Sequence, residues 1–140
     1  MSHNCRTLLL RCIDFRLCPA IHIYLEGKKL LGACDIVSVA GAAKNIASPV
    51  RESDREFVLR QIEISKKLHD IKQVIIMNHT DCGAYGGHAA FASGKDEENR
   101  HVVDMKMAAD LIRKNHSELI IKIELAKISD QNETSFEGIE

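Results

Sequence analysis

Two short apolar runs in this chain end in sulfur, and they constrain the fold more than any other feature. Leu8-Leu9-Leu10 leads through Arg11 to Cys12. Val74-Ile75-Ile76-Met77 leads to Asn78-His79-Thr80-Asp81-Cys82-Gly83. Both runs are too short for a helix and apolar at nearly every position, as in a strand covered on both faces of a parallel sheet. Strands are expected over Thr7–Ile13 and Gln73–Met77, with two more at Asp35–Val39 and Leu119–Ile123. Helical patterns separate them. Pro19 suits the first turn of a helix over Leu17–Leu25. Ser53 and Glu56 have the spacing of a capping box for a helix from Asp54 to about His69. Its apolar stripe is expected to be Phe57, Ile64 and Leu68, with Val58 and Ile62 beside it. A third helix opens near Lys95 and runs to about His116. The alternation predicts an α/β fold of three layers, with a mainly parallel sheet of about four strands and helices on both faces. The polar stretch from about Asp130 to Glu140 reads as a loose tail.

Composition excludes several classes of function. The chain has 140 residues, which fits one domain over 1–140. A net charge of −1 gives no electrostatic footprint for nucleic acid. No apolar run approaches the roughly 18 residues of a membrane span. The N-terminal residues lack the layout of a signal peptide, so the expected location is cytoplasmic. The five cysteines, Cys5, Cys12, Cys18, Cys34 and Cys82, then read as buried, metal-bound or catalytic thiols rather than a disulfide framework. Cys18 and Cys34 are expected to be small buried hydrophobes, and Cys5 an exposed one.

In an open α/β sheet, sites lie beyond the carboxyl ends of the strands. Cys12 falls near the end of the first strand, and His79 with Cys82 just past the third. Two thiolates and an imidazole match the protein ligands of a catalytic zinc site, with a fourth position for water or substrate. Cys12, Asp14 and Arg16 alternate, so an extended backbone would place them on one face. Asp14 is close enough to reach a metal or its water, and Arg16 can hold Asp14 through a bidentate pair. Asp81 and Thr80 can take the second N–H of the imidazole or can simply form a turn. His88 and His101 read as solvated surface histidines, and Lys44 as an exposed lysine.

The paired motifs Cys12-Ile13-Asp14-Phe15-Arg16 and His79-Thr80-Asp81-Cys82-Gly83 resemble those of the β-class carbonic anhydrases. Their spacing is similar too, and the resemblance extends from Thr7 to about Ile123. It implies zinc on Cys12, His79 and Cys82, a catalytic dyad of Asp14 and Arg16, and a homodimer or a multiple of one. The implied reaction is the reversible hydration of carbon dioxide to bicarbonate, so the implied partner is that small substrate. Where the family usually carries Arg-Asn-Ala-Gly, this chain has Ser38-Val39-Ala40-Gly41. Two other readings share the residues. One is zinc-dependent hydrolysis of a related small molecule, carbonyl sulfide or carbon disulfide. The other is a zinc-stabilised binding module without catalysis.

Overall fold

The computed structural model describes residues 3–140. Its elements in chain order are β1 (Thr7–Arg11), α1 (Cys18–Gly27), β2 (Cys34–Ser38), α2 (Lys44–Ala47), α3 (Glu52–His69), β3 (Gln73–His79), α4 (Gly94–Asn115), β4 (Ile120–Ile128) and β5 (Thr134–Ile139). Single 3₁₀ turns at Phe15–Leu17, Gly83–Tyr85 and His88–Ala90 complete the loops around the strand ends. The strands form one sheet in the order β2-β1-β3-β4-β5. The first four are parallel, and β5 joins β4 antiparallel.

The alternation of side chains along β1 and β3 builds a core on each face. Leu8, Leu10, Val74 and Ile76 pack with Ile46 of α2, Val58 and Ile62 of α3, and Met105 and Ile112 of α4. Leu9, Ile75 and Met77 point the other way, against Leu17 and against Ile21 and Leu25 of α1. Both faces of these strands are covered, which is why their sequences are apolar without alternation.

Three expectations are corrected. The residues read as a loose tail contain β5, whose pairing runs from Ile123↔Ile139 to Ile128↔Thr134. Its alternate positions are exposed, so its composition is polar. The Tyr24 and Phe136 rings meet at 4.8 Å and hold it against α1. The sheet therefore has five strands.

Ser53 does not cap α3. The helix starts at Glu52 with Arg51 as an extended N-cap, so the Ser53 hydroxyl lies inside the first turn. Glu52 and Asp54 supply negative charge at the positive end of the helix.

The buried stripe of α3 is Val58, Ile62 and Ser65. The predicted stripe lies one position around the helix, leaving Phe57 48%, Ile64 41% and Leu68 61% exposed. The helix has two apolar faces, and only one meets the sheet.

Candidate metal centre

β3 runs two residues further than its apolar run, because β4 continues to pair with it: Asn78 faces Leu125 and His79 faces Ala126. His79 is thus the last residue of the strand, and Cys82 follows a left-handed turn at Asp81, where φ is 56°. One strand away, β1 ends at Arg11 and delivers Cys12 to the same place. The three ligand atoms of Cys12, His79 and Cys82 lie within 4.8 Å of one another, and all three residues are buried. The two sulfurs are 3.9 Å apart. Two sulfurs at about 2.3 Å from a tetrahedral zinc would stand about 3.8 Å apart.

The imidazole has a defined tautomer. Its Nδ1 is 2.7 Å from the carbonyl oxygen of Thr80, which can only accept, so Nδ1 carries the proton. Nε2 therefore presents a lone pair, yet it is buried with no hydrogen-bond partner among the described residues. A buried acceptor without a partner is costly unless something binds it. A metal ion would satisfy that lone pair, and the two sulfurs beside it are of the type that would complete the set. Cys12 is biased toward thiolate. The Cys82 thiol hydrogen-bonded to it draws its pKa far down against the effect of burial, and His79 and the Gly41 N–H add to the shift. The same bond and burial push Cys82 up.

The Gly41 N–H reaches the Cys12 sulfur at 3.4 Å. This close approach requires glycine. Its φ is +84°, and a Cβ there would sit 3.0 Å from the Ala84 Cβ and 3.1 Å from that of Lys44. The small-residue stretch after β2 thus serves the sulfur directly.

Asp14 lies beside the three ligand residues with Oδ2 3.8 Å from His79 Nε2. Arg16 grips both carboxylate oxygens. Its Nη2 donates to Oδ2 at 2.8 Å, its Nε to Oδ1 at 3.1 Å, and its backbone N–H to Oδ1 at 2.9 Å. The guanidinium hydrogen bonds hold the Asp14 pKa down to about 2 against the smaller opposing effect of burial. The strand expected to reach Ile13 stops at Arg11; residues 12–14 are irregular and lead into the 3₁₀ turn for which Asp14 is the N-cap. The fork survives because that turn brings residues 14 and 16 together on its own.

Asp81 has a role that neither expected reading contained. Its Oδ2 and carbonyl oxygen accept from Arg16 at 3.2 and 3.0 Å. Its own N–H donates to buried Glu97 at 2.7 Å, and its Oδ1 accepts from the His88 N–H at 2.9 Å. The chain of support runs from Glu97 through Asp81 and Arg16 to Asp14. Thr80, in contrast, serves the imidazole through its carbonyl, while its Oγ1 accepts from the N–H of Ile128.

His101 also departs from expectation, and Asn78 beside it has a part not assigned from the sequence. His101 is not a surface residue but fully buried at 0% exposure, on the inner face of α4. Burial pushes its pKa down to about 4. Asn78 takes the Ala43 N–H on Oδ1 at 3.0 Å and donates through Nδ2 to Tyr85 Oη and His101 Nδ1 at 3.1 and 3.0 Å. A polar residue ending an apolar run was the only sequence signal for this hub. Lys44 is half-buried and donates to the Ser48 carbonyl rather than to the cleft. His88 is over half exposed and pairs with Glu97. Cys18 is exposed and Cys34 half-buried, so neither is the core residue expected; Cys5 is half-buried rather than exposed.

The centre opens on a cleft of about 330 Å³ lined by Cys12, Ile13, Asp14, Phe15, Ala40, Gly83 and Ala84. Apart from Cys12 and Asp14 its wall is apolar, which suits a small, weakly polar molecule.

Among known proteins, residues 2–133 match the model of a family described as putative carbonic anhydrase. Uncharacterized proteins of Rickettsia conorii and Rickettsia bellii are each 29% identical over 116 residues, 81% of this chain. The chain spans 62% of the first relative's length and 71% of the second's. Three solved structures share the fold. The β-carbonic anhydrase CcaA superposes with a TM-score of 0.58 at 15% identity, covering 100% of this chain and 79% of its own. A tetrameric β-carbonic anhydrase of Sordaria macrospora gives 0.54 at 14%, covering 100% and 84%. The β-carbonic anhydrase CafA of Aspergillus fumigatus gives 0.52 at 15%, covering 99% and 76%. No described helix is long and apolar enough to cross a membrane. With the family match over nearly its whole length and this fold beneath it, the chain belongs to the putative carbonic anhydrase family, as a divergent β-carbonic-anhydrase-like member.

Proposed function

We propose that the chain is a zinc enzyme that interconverts carbon dioxide and bicarbonate, with zinc held by Cys12, His79 and Cys82. The observation that carries this reading is the partnerless Nε2 of His79, set beside two sulfurs 3.9 Å apart and next to a carboxylate locked by arginine. Zinc bound there supplies a water acidified toward neutral pH. Asp14, ionised and fixed by Arg16, holds a hydrogen-bond acceptor beside the three residues that would carry the zinc, where it would orient a water toward the cleft. Ile13, Phe15 and Ala84 offer carbon dioxide an apolar wall. The protein as purified from zinc-replete medium is expected to carry about one zinc at this centre and to hydrate carbon dioxide in a stopped-flow assay. A fully zinc-loaded protein that is inactive from mildly acidic to alkaline pH would overturn the enzymatic reading and favour a zinc-stabilised binding module. The same assay with carbonyl sulfide and carbon disulfide separates hydration from hydrolysis of those relatives.

The working unit is proposed to be a homodimer or a multiple of one. β2 is an edge strand, and exposed Ile36 lies across a shallow groove from Ile64 and Leu68 of α3. An open strand edge next to an apolar helix face favours burial against a second copy. One of the similar solved structures is described as tetrameric. Light scattering at micromolar concentration should give at least twice the monomer mass of 15.6 kDa; a monomer would count against this unit.

A further inference from the structure

The carboxyl ends of the strands hold the centre above, but the opposite end of the sheet has a cluster of its own. Cys5 precedes β1, Asp35 is the second residue of β2, and His69 is the last residue of α3. One ligand atom from each lies within 4.8 Å of the other two, and all three residues are half-buried. We propose that Cys5, Asp35 and His69 form a second transition-metal site, for which zinc is the best-matched ion.

The ligand set is one thiolate, one imidazole and one carboxylate, each a type that zinc accepts, with a fourth position left for water. The three come from separate segments that other bonds already fix. The Cys5 N–H donates to the His69 carbonyl at 3.0 Å. Ser65, one turn before His69 on α3, donates from Oγ to Asp35 Oδ2 at 2.5 Å. His69 Nδ1 meets the same oxygen at 2.7 Å. Burial disfavours the charged form of Asp35, but the bonds from Ser65 and His69 outweigh it and keep the carboxylate ionised.

A nitrogen and an oxygen on one tetrahedral zinc stand about 3.3 Å apart, so this pair needs to open by about half an ångström. His69 then ligates through Nδ1 and carries its proton on Nε2. Cys5 releases its thiol proton, so affinity rises with pH. Cys5 and Cys12 are seven positions apart along mostly extended chain, roughly 20 Å, so the two sites share no ligand. The second site is independent of the catalytic reading. Its role is to fasten the segment before β1 to both β2 and α3.

The test is titration of metal-free protein with Co²⁺ and with Zn²⁺, read by thiolate-to-cobalt absorption and by elemental analysis. Wild type is expected to bind two equivalents. Cys5→Ser, His69→Ala and His69→Asn should each bind one, with carbon dioxide hydration unchanged and the native circular dichroism retained. Cys82→Ser should also bind one, now lost on adding Cys5→Ser. A wild type that binds a single equivalent, abolished by Cys82→Ser and untouched by Cys5→Ser, overturns the second site and leaves the first. Two equivalents undiminished by the changes at 5 and 69 overturn it as well. A single equivalent abolished by Cys5→Ser but not by Cys82→Ser supports this site and sinks the centre at Cys12, His79 and Cys82.

Discussion

Arg16→Ala is expected to lower the carbon dioxide hydration rate by about 10²-fold or more while zinc content stays full. Arg16 makes the guanidinium bonds to Asp14 and is itself held by Asp81. Without its guanidinium, only the backbone N–H of residue 16 still reaches the Asp14 carboxylate, whose Oδ2 already stands 3.8 Å from His79 Nε2. A short swing would bring Asp14 onto the metal and close the position meant for water. Arg16→Lys should rescue poorly, because a single ammonium cannot reproduce the fork. Asp14→Asn should lose a similar factor for a different reason: the amide nitrogen donates where the carboxylate accepted. Hydration rate and zinc content measured together on all three variants distinguish these effects. Near wild-type activity in Asp14→Asn would mean that Asp14 only fills space.

The second large effect is on stability. Asn78→Ala is expected to cost about 3–5 kcal/mol, since it leaves the Ala43 N–H and His101 Nδ1 without partners at about 1–3 kcal/mol each. Asn78 is almost wholly buried, and it joins the Ala43 N–H after β2, Tyr85 in the loop and His101 on α4. Asn78→Asp keeps the acceptor for Ala43 but loses both donors and adds a charge near Asp104, which Tyr85 already engages at 2.7 Å. It too should be destabilised. Urea unfolding with an unchanged m-value reads the loss directly. A cost below about 1 kcal/mol would show that water replaces the amide.

Much of the architecture was legible because β1 and β3 are buried on both faces. Leu8-Leu9-Leu10 and Val74-Ile75-Ile76-Met77 have no polar side to show, and only a covered parallel sheet accommodates that. The candidate ligands Cys12, His79 and Cys82 could be picked out because their types are rare together and sit at strand ends, and the structure brings their ligand atoms within 4.8 Å of one another. What failed was decided by tertiary context. α3 carries two apolar stripes of similar strength, and only packing against Leu8 and Ile76 selects Val58 and Ile62 over Ile64 and Leu68. β5 has the composition of a tail because one side faces solvent. Asp81 looked like a turn residue, which its backbone is; its hold on Arg16 depends on a contact across 65 positions of sequence. His101 has no local sign of burial, since its polar partners lie on β3 and in the loop beyond it.

The fifth strand bears on how this protein should be handled. The family match stops at residue 133, one position before β5 begins. An expression boundary drawn there, or where the composition turns polar, would strip the partner from six consecutive pairs along β4. The bared segment, Ile123 to Ile128, includes four apolar side chains that are buried in the full chain, Ile123, Leu125, Ala126 and Ile128. Such an edge is a template for pairing between molecules. It also carries the Ile128 N–H that holds Thr80, whose carbonyl sets the His79 tautomer. Trimming a seemingly dispensable end would thus invite insoluble material and loosen the imidazole at the same time.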